Sequence, residues 1–232
     1  MTGKNITIAG PDGQFSGYLA TPAAGKGPGI VVIQEIFGIN AVMRGIADEL
    51  AANGYFALAP DLFWRLEPGV QLTDKTDAEW QRAFDLMKRF NADSGVADIQ
   101  ATITHLRNVA GCTGKVGAVG YCLGGLLAYL TAARTDSDAS VGYYGVNIQN
   151  MLAEAKSIKK PLTLHIAGKD EFVPPEAQNQ IIAGLAANPL VTIHRYPEMN
   201  HAFARVGGKH YDQANADLAN GRRATFFRQH LS

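Results

Sequence analysis

Short continuous apolar runs alternate along this chain with stretches whose apolar positions recur every three or four residues. The runs have strand length and the spaced stretches have the 3.6-residue period of helices packed by one face. Residues 6–9 and 15–20 read as two strands. Gly10-Pro11-Asp12-Gly13 between them is turn chemistry, so the pair is predicted to form an antiparallel hairpin. Residues 21–29 are rich in Gly, Pro and Ala and read as a loop, and residues 29–34 as a strand buried on both faces. A helix is then predicted over 40–53, stopped by Gly54, and a strand over 55–59. Residues 61–74 read as irregular, and 78–90 and 96–109 as helices. The second half continues with strand 115–120, helix 123–133, strand 140–144, a short helix 151–156, strand 162–167, helix 175–187, strand 191–196 and a last helix 211–231. Such alternation predicts an α/β fold, an approximately eight-stranded, mostly parallel sheet with helices on both faces. No segment of disordered composition divides the chain, so residues 1–232 are expected to form one domain.

Composition narrows the function classes. Lys plus Arg and Asp plus Glu are both 21, so the formal net charge is zero, with no long single-sign block. That excludes the electrostatic footprint of a nucleic-acid or anionic-membrane binder. No secretory leader pattern and no apolar run of membrane-spanning length is found, and the two cysteines make no disulfide framework. A cytoplasmic monomer with a small-molecule partner is the expectation.

The most informative stretch is Gly120-Tyr121-Cys122-Leu123-Gly124, where an apolar strand pattern ends and an apolar helix pattern begins. This is the strand–turn–helix setting of the nucleophile elbow, with Cys in place of Ser. A helix N-terminus also favours a thiolate. An isolated Cys is ordinarily a small buried hydrophobe; the elbow context favours a nucleophile instead. Asp170 follows strand 162–167 and His201 follows strand 191–196, so the order is nucleophile, acid, histidine. His201 would take the thiol proton, and Asp170 would fix the imidazole tautomer. Read singly, Asp170 is a turn residue and His201 a loop histidine; together, on the right elements, they read as a triad. His165 lies inside an apolar strand and reads as a core residue, and no histidine has zinc-ligand spacing with a cysteine. No metal or cofactor is therefore expected. Acyl transfer needs oxyanion donors. The backbone N–H of Leu123 is the first candidate, and that of Ile36, in the loop after the strand at 29–34, the second.

With these residues in view, the chain resembles the dienelactone hydrolase (carboxymethylenebutenolidase) family, cysteine members of the α/β-hydrolase superfamily. The matching stretches are Gln34-Glu-Ile-Phe-Gly, Gly120-Tyr-Cys-Leu-Gly-Gly, Val141-Gly-Tyr-Tyr-Gly-Val, Phe172-Val-Pro and His201-Ala-Phe-Ala-Arg205. The resemblance implies an α/β-hydrolase fold, a Cys122–His201–Asp170 triad, and a role for Glu35 as the carboxylate that pairs with the resting thiol. It also implies a substrate carboxylate held by two arginines. Arg205 matches one; at the other position stands Trp80, with Arg82 two residues on. Phe84 replaces a family tyrosine, and Ala202 stands where a serine is frequent. Losing an arginine and gaining an indole points to a more apolar, less anion-demanding pocket, with Phe37, Tyr144 and Phe203 as walls. The implied activity is opening of a lactone of the dienelactone type to a maleylacetate-like dicarboxylate in aromatic-compound catabolism. A broader carboxylesterase or thioesterase is the alternative. A non-catalytic thiol redox sensor is a further one, against which Asp170 and His201 argue, since a sensor needs neither.

Overall fold

The computed structural model describes residues 3–232. Eight strands follow the order β1-β2-β4-β3-β5-β6-β7-β8, and the chain divides into two compact units, Met1–Ala118 and Val119–Ser232.

In the first unit β1 (Lys4–Gly10) and β2 (Gly13–Ala20) form the expected antiparallel hairpin, closed by the Gly10–Gly13 pair. β2 runs antiparallel to β4 (Phe56–Pro60), and β4 parallel to β3 (Gly27–Ile33). β3 is apolar because it is enclosed: Ile30, Val31, Val32 and Ile33 are all fully buried. Helix α1 (Ala41–Ala52) starts where Asn40 accepts hydrogen bonds from the Val42 and Met43 N–H groups at 3.1 and 3.2 Å. Helices α2 (Asp77–Arg89) and α3 (Ala92–Arg107) are capped in the same way by Thr76 and Asn91.

Strand β5 (Cys112–Tyr121) runs through the boundary. It starts three residues before the predicted 115, with Cys112 as its first, half-buried residue.

In the second unit β6 (Ala139–Tyr143), β7 (Leu162–Ala167) and β8 (Val191–Tyr196) are parallel neighbours, in the register Tyr143–His165–His194. Helix α4 (Leu123–Arg134) is buried from Leu123 through Ala132, which accounts for its unbroken apolar sequence. It passes close to the segment after β6 only because residue 125 lacks a side chain. A Cβ on Gly125 would lie 2.6 Å from both Gly145 Cα and the Tyr143 carbonyl oxygen. The short helix predicted over 151–156 is a 3-10 helix over Ile148–Ser157. Helix α5 spans Pro175–Leu185 and α6 spans Gln213–Leu231. The latter begins two residues after the predicted start because Asp212 caps it, accepting from the Asn215 N–H at 2.9 Å.

Candidate active site

Cys122 is the residue between β5 and α4, with φ 57° and ψ −114°. A non-glycine residue with positive φ is strained and persists only where its surroundings over-determine it. Here the Cys122 N–H donates to the Tyr143 carbonyl at 3.1 Å, while its own carbonyl accepts from Gly125 and Leu126 at 2.9 and 3.3 Å. Gly120 makes the turn possible by close approach: a Cβ there would sit 1.9 Å from the Gly124 carbonyl oxygen. Leu123 opens α4, so its N–H is one of the first-turn donors with no intrahelical partner.

The acid and base loops are laced together. The Lys169 N–H donates to the Met199 carbonyl at 2.8 Å, the Gly168 N–H to that of Tyr196 at 2.8 Å, and the Glu171 N–H to Asn200 Oδ1 at 3.3 Å. Asp170 and His201 are thereby brought into contact, with Nδ1 at 2.8 Å from Oδ2 and 3.0 Å from Oδ1. A carboxylate only accepts, so Nδ1 carries the proton and Nε2 is left for other chemistry. Asp170 is itself fixed by the Phe172 and Val173 N–H groups, at 2.9 and 3.2 Å from Oδ1.

Cys122, Asp170 and His201 are all buried, at 8%, 4% and 3% exposure. Burial pushes the His201 imidazole toward its neutral form. Electrostatic attraction to Cys122, then the Asp170 hydrogen bond, overcome this and raise it to about 10. The Cys122 attraction is more charge than hydrogen bond, and Nε2 has no well-aligned partner. Two rings flank the imidazole: Tyr144 with centroids 5.1 Å apart and Phe172 at 4.8 Å, both edge-on. Phe203 packs on Tyr144 at 5.7 Å. The residue after the histidine, Ala202, has φ 60°, a left-handed conformation that turns the chain there. Arg205 follows on the same loop and is buried at 8% exposure, its N–H bonded to the Ala202 carbonyl at 2.9 Å.

The second unit thus holds Cys122, Asp170, His201, Leu123, Tyr144, Phe203 and Arg205. In the first unit, Glu35 and Ile36 follow β3 and are buried, each at 2% exposure. Phe37 meets Trp80 edge-on at 5.0 Å, and Trp80 also touches Phe84 at 5.5 Å. Arg82, on α2, is exposed and pairs with Glu67. Sequence reasoning missed Phe172 as a neighbour of the histidine. Its place two residues after Asp170 was the available signal. His165 is the core residue expected: its Nδ1 meets the Tyr196 hydroxyl at 2.8 Å, and burial holds it well below its usual range. Among the described residues no cluster of His, Cys, Asp and Glu could hold a metal ion, and no helix is long and apolar enough to cross a membrane.

Comparison with known proteins gives one consistent result. Residues 15–231 match the model of the dienelactone hydrolase family. A provisionally named carboxymethylenebutenolidase of Azospirillum brasilense is 52% identical over 225 residues, covering 96% of each chain. The carboxymethylenebutenolidase of Pseudomonas putida is 41% identical over 227 residues, covering 97% of this chain and 96% of that one. Among solved structures, a provisionally named dienelactone hydrolase from Klebsiella pneumoniae superposes with a TM-score of 0.88 at 25% identity, over 98% of both chains.

Proposed function

The chain belongs to the dienelactone hydrolase family, whose members hydrolyse ester (lactone) bonds, and we propose that it opens an unsaturated lactone through a thiol nucleophile, Cys122, served by His201 and Asp170. The observation that carries this reading is the His201 imidazole, bonded through Nδ1 to Asp170 at 2.8 Å and interacting with Cys122, attractions that raise it to about 10. An imidazolium–thiolate pair is the activated form of a sulfur nucleophile.

The thiolate attacks the ring carbonyl, forming a C–S bond and placing negative charge on the carbonyl oxygen. The Leu123 N–H, at the positive end of α4, stabilises that oxyanion. Collapse breaks the ring C–O bond, and the departing enolate takes up a proton, with the imidazolium as its nearest source. Water then attacks the thioester with His201 as general base, releasing a second carboxylate and the thiolate. Asp170 holds the ring in one tautomer throughout. For a lactone that already bears a carboxylate the product is a dicarboxylate of the maleylacetate type, which places the reaction in aromatic-compound catabolism. Arg205, buried four residues past His201, is suited to hold the substrate carboxylate by charge-assisted hydrogen bonds.

Cys122→Ala is expected to abolish lactone opening, followed as loss of the conjugated absorbance, while leaving thermal unfolding cooperative. Turnover at the wild-type rate in that variant overturns the reading. A broader esterase reading draws on Trp80, an indole where the resemblance implies an arginine. Comparing kcat/KM for a carboxylate-bearing lactone and a short neutral ester separates the two.

A further inference from the structure

Helix α6 carries three polar side chains that this chemistry leaves unused. Asn220 Oδ1 accepts from the Tyr143 hydroxyl at 3.0 Å, one Arg222 nitrogen donates to the Tyr196 hydroxyl at 3.1 Å, and one Arg223 nitrogen donates to the Tyr121 hydroxyl at 2.9 Å. Each tyrosine is the last residue of its strand: Tyr121 of β5, Tyr143 of β6, Tyr196 of β8. The other strand of the second unit, β7, joins through His165, whose Nδ1 meets the Tyr196 hydroxyl. The rings also stack side by side, Tyr121 on Tyr143 at 4.7 Å and Tyr143 on His165 at 4.4 Å.

These strand ends lead straight into the site. Cys122 follows Tyr121, Tyr144 follows Tyr143, Asp170 lies in the turn after β7, and His201 in the loop after Tyr196. The register among the strand ends therefore sets the register among the reacting groups. Of the three contacts, the one from Arg223 stands closest to the nucleophile in the chain. Its guanidinium is buried at 2% exposure, and a cation is retained there only if it is well hydrogen-bonded. A hydrogen bond from an ionised donor is about twice as strong as a neutral one. The residue it grips immediately precedes the strained elbow, a conformation that needs external constraint.

We propose that Arg223 is a positioning residue for the nucleophile: through Tyr121 it holds the Cys122 elbow in register with the strand ends that carry Asp170 and His201. The inference rests on the reading of Cys122 as nucleophile. Its test uses the full chain with Tyr121→Phe, Arg223→Met or Arg223→Lys. Three quantities are read: kcat and KM for p-nitrophenyl acetate, thermal unfolding, and the rate of iodoacetamide alkylation measured on the Cys122 peptide. Tyr121→Phe and Arg223→Met are expected to lower kcat about tenfold with KM within about twofold, because misplacement acts on the chemical step. Alkylation slows alongside, and Arg223→Lys, which still donates to the hydroxyl, recovers most of both. A folded Tyr121→Phe with wild-type kcat and wild-type alkylation overturns the proposal, as does a loss that Arg223→Lys does not relieve. Should Arg223→Met fail to fold, Tyr121→Phe and Arg223→Lys decide alone. Should the wild type turn over no ester, the proposed function fails, and the alkylation rates still decide this inference.

Discussion

His201 is where burial and charge pull hardest in opposite directions. Its ring is raised from 6.5 to about 10, against desolvation, by Cys122 and Asp170. A base raised in the native state adds stability that is complete below its unfolded value near 6.5 and is lost as pH climbs through about 10. Wild-type melting temperature is therefore expected to fall across that window more steeply than that of Cys122→Ala, which lacks the partner charge; parallel curves would count against the pair. Asp170→Asn is expected to lower kcat by roughly 10²–10⁴, since the amide no longer enforces the Nδ1–H tautomer; steady-state rates at fixed pH check this. Arg205→Ala is expected to raise KM for a carboxylate-bearing lactone several-fold more than for a neutral ester, and equal changes would exclude an anion clamp. At this scale the meeting of Cys122, Asp170 and His201 was legible because each residue type stood at a strand end in a set order. Phe172 was signalled only by its place two residues after Asp170, and Arg223 not at all. Nearness in sequence does not say which way a loop phenylalanine turns, and nothing in a sequence says that a helix arginine reaches a tyrosine 102 positions away.

The elements were legible wherever periodicity and punctuation agreed. β7 and β8 fall on their predicted bounds, and α1 (Ala41–Ala52) lies one residue inside the predicted 40–53, between its caps Asn40 and Asn53. Edges shifted where capping or pairing, rather than hydrophobicity, sets the end. Asp212 delays α6, and the first residues of β5 are too exposed to show as an apolar run. The elbow is the element whose sequence leaves least freedom. Gly120→Ala would drive a methyl into the Gly124 carbonyl oxygen, at 1.9 Å without relaxation. It is expected to cost about 1–3 kcal/mol of stability by denaturant unfolding, and a larger share of activity, because the relaxation moves Cys122. A variant with wild-type stability and kcat would show that the turn has slack.

Across the whole molecule the alternating pattern predicted an eight-stranded, mostly parallel sheet, and the fold has it, with β1 and β2 supplying the antiparallel part. Substrate preference was less legible, because it depends on how side chains such as Trp80, edge-on to Phe37 and tilted against Phe84, shape a surface. The chemistry needs only a thiol held at the elbow beside a carboxylate-bound imidazole, and intact-mass spectrometry after rapid mixing with a slowly hydrolysed ester reads this directly. The wild type is predicted to gain one acyl group, located on the Cys122 peptide, and Cys122→Ala to gain none. An acyl group on another residue, or undiminished turnover by Cys122→Ala, would contradict the account.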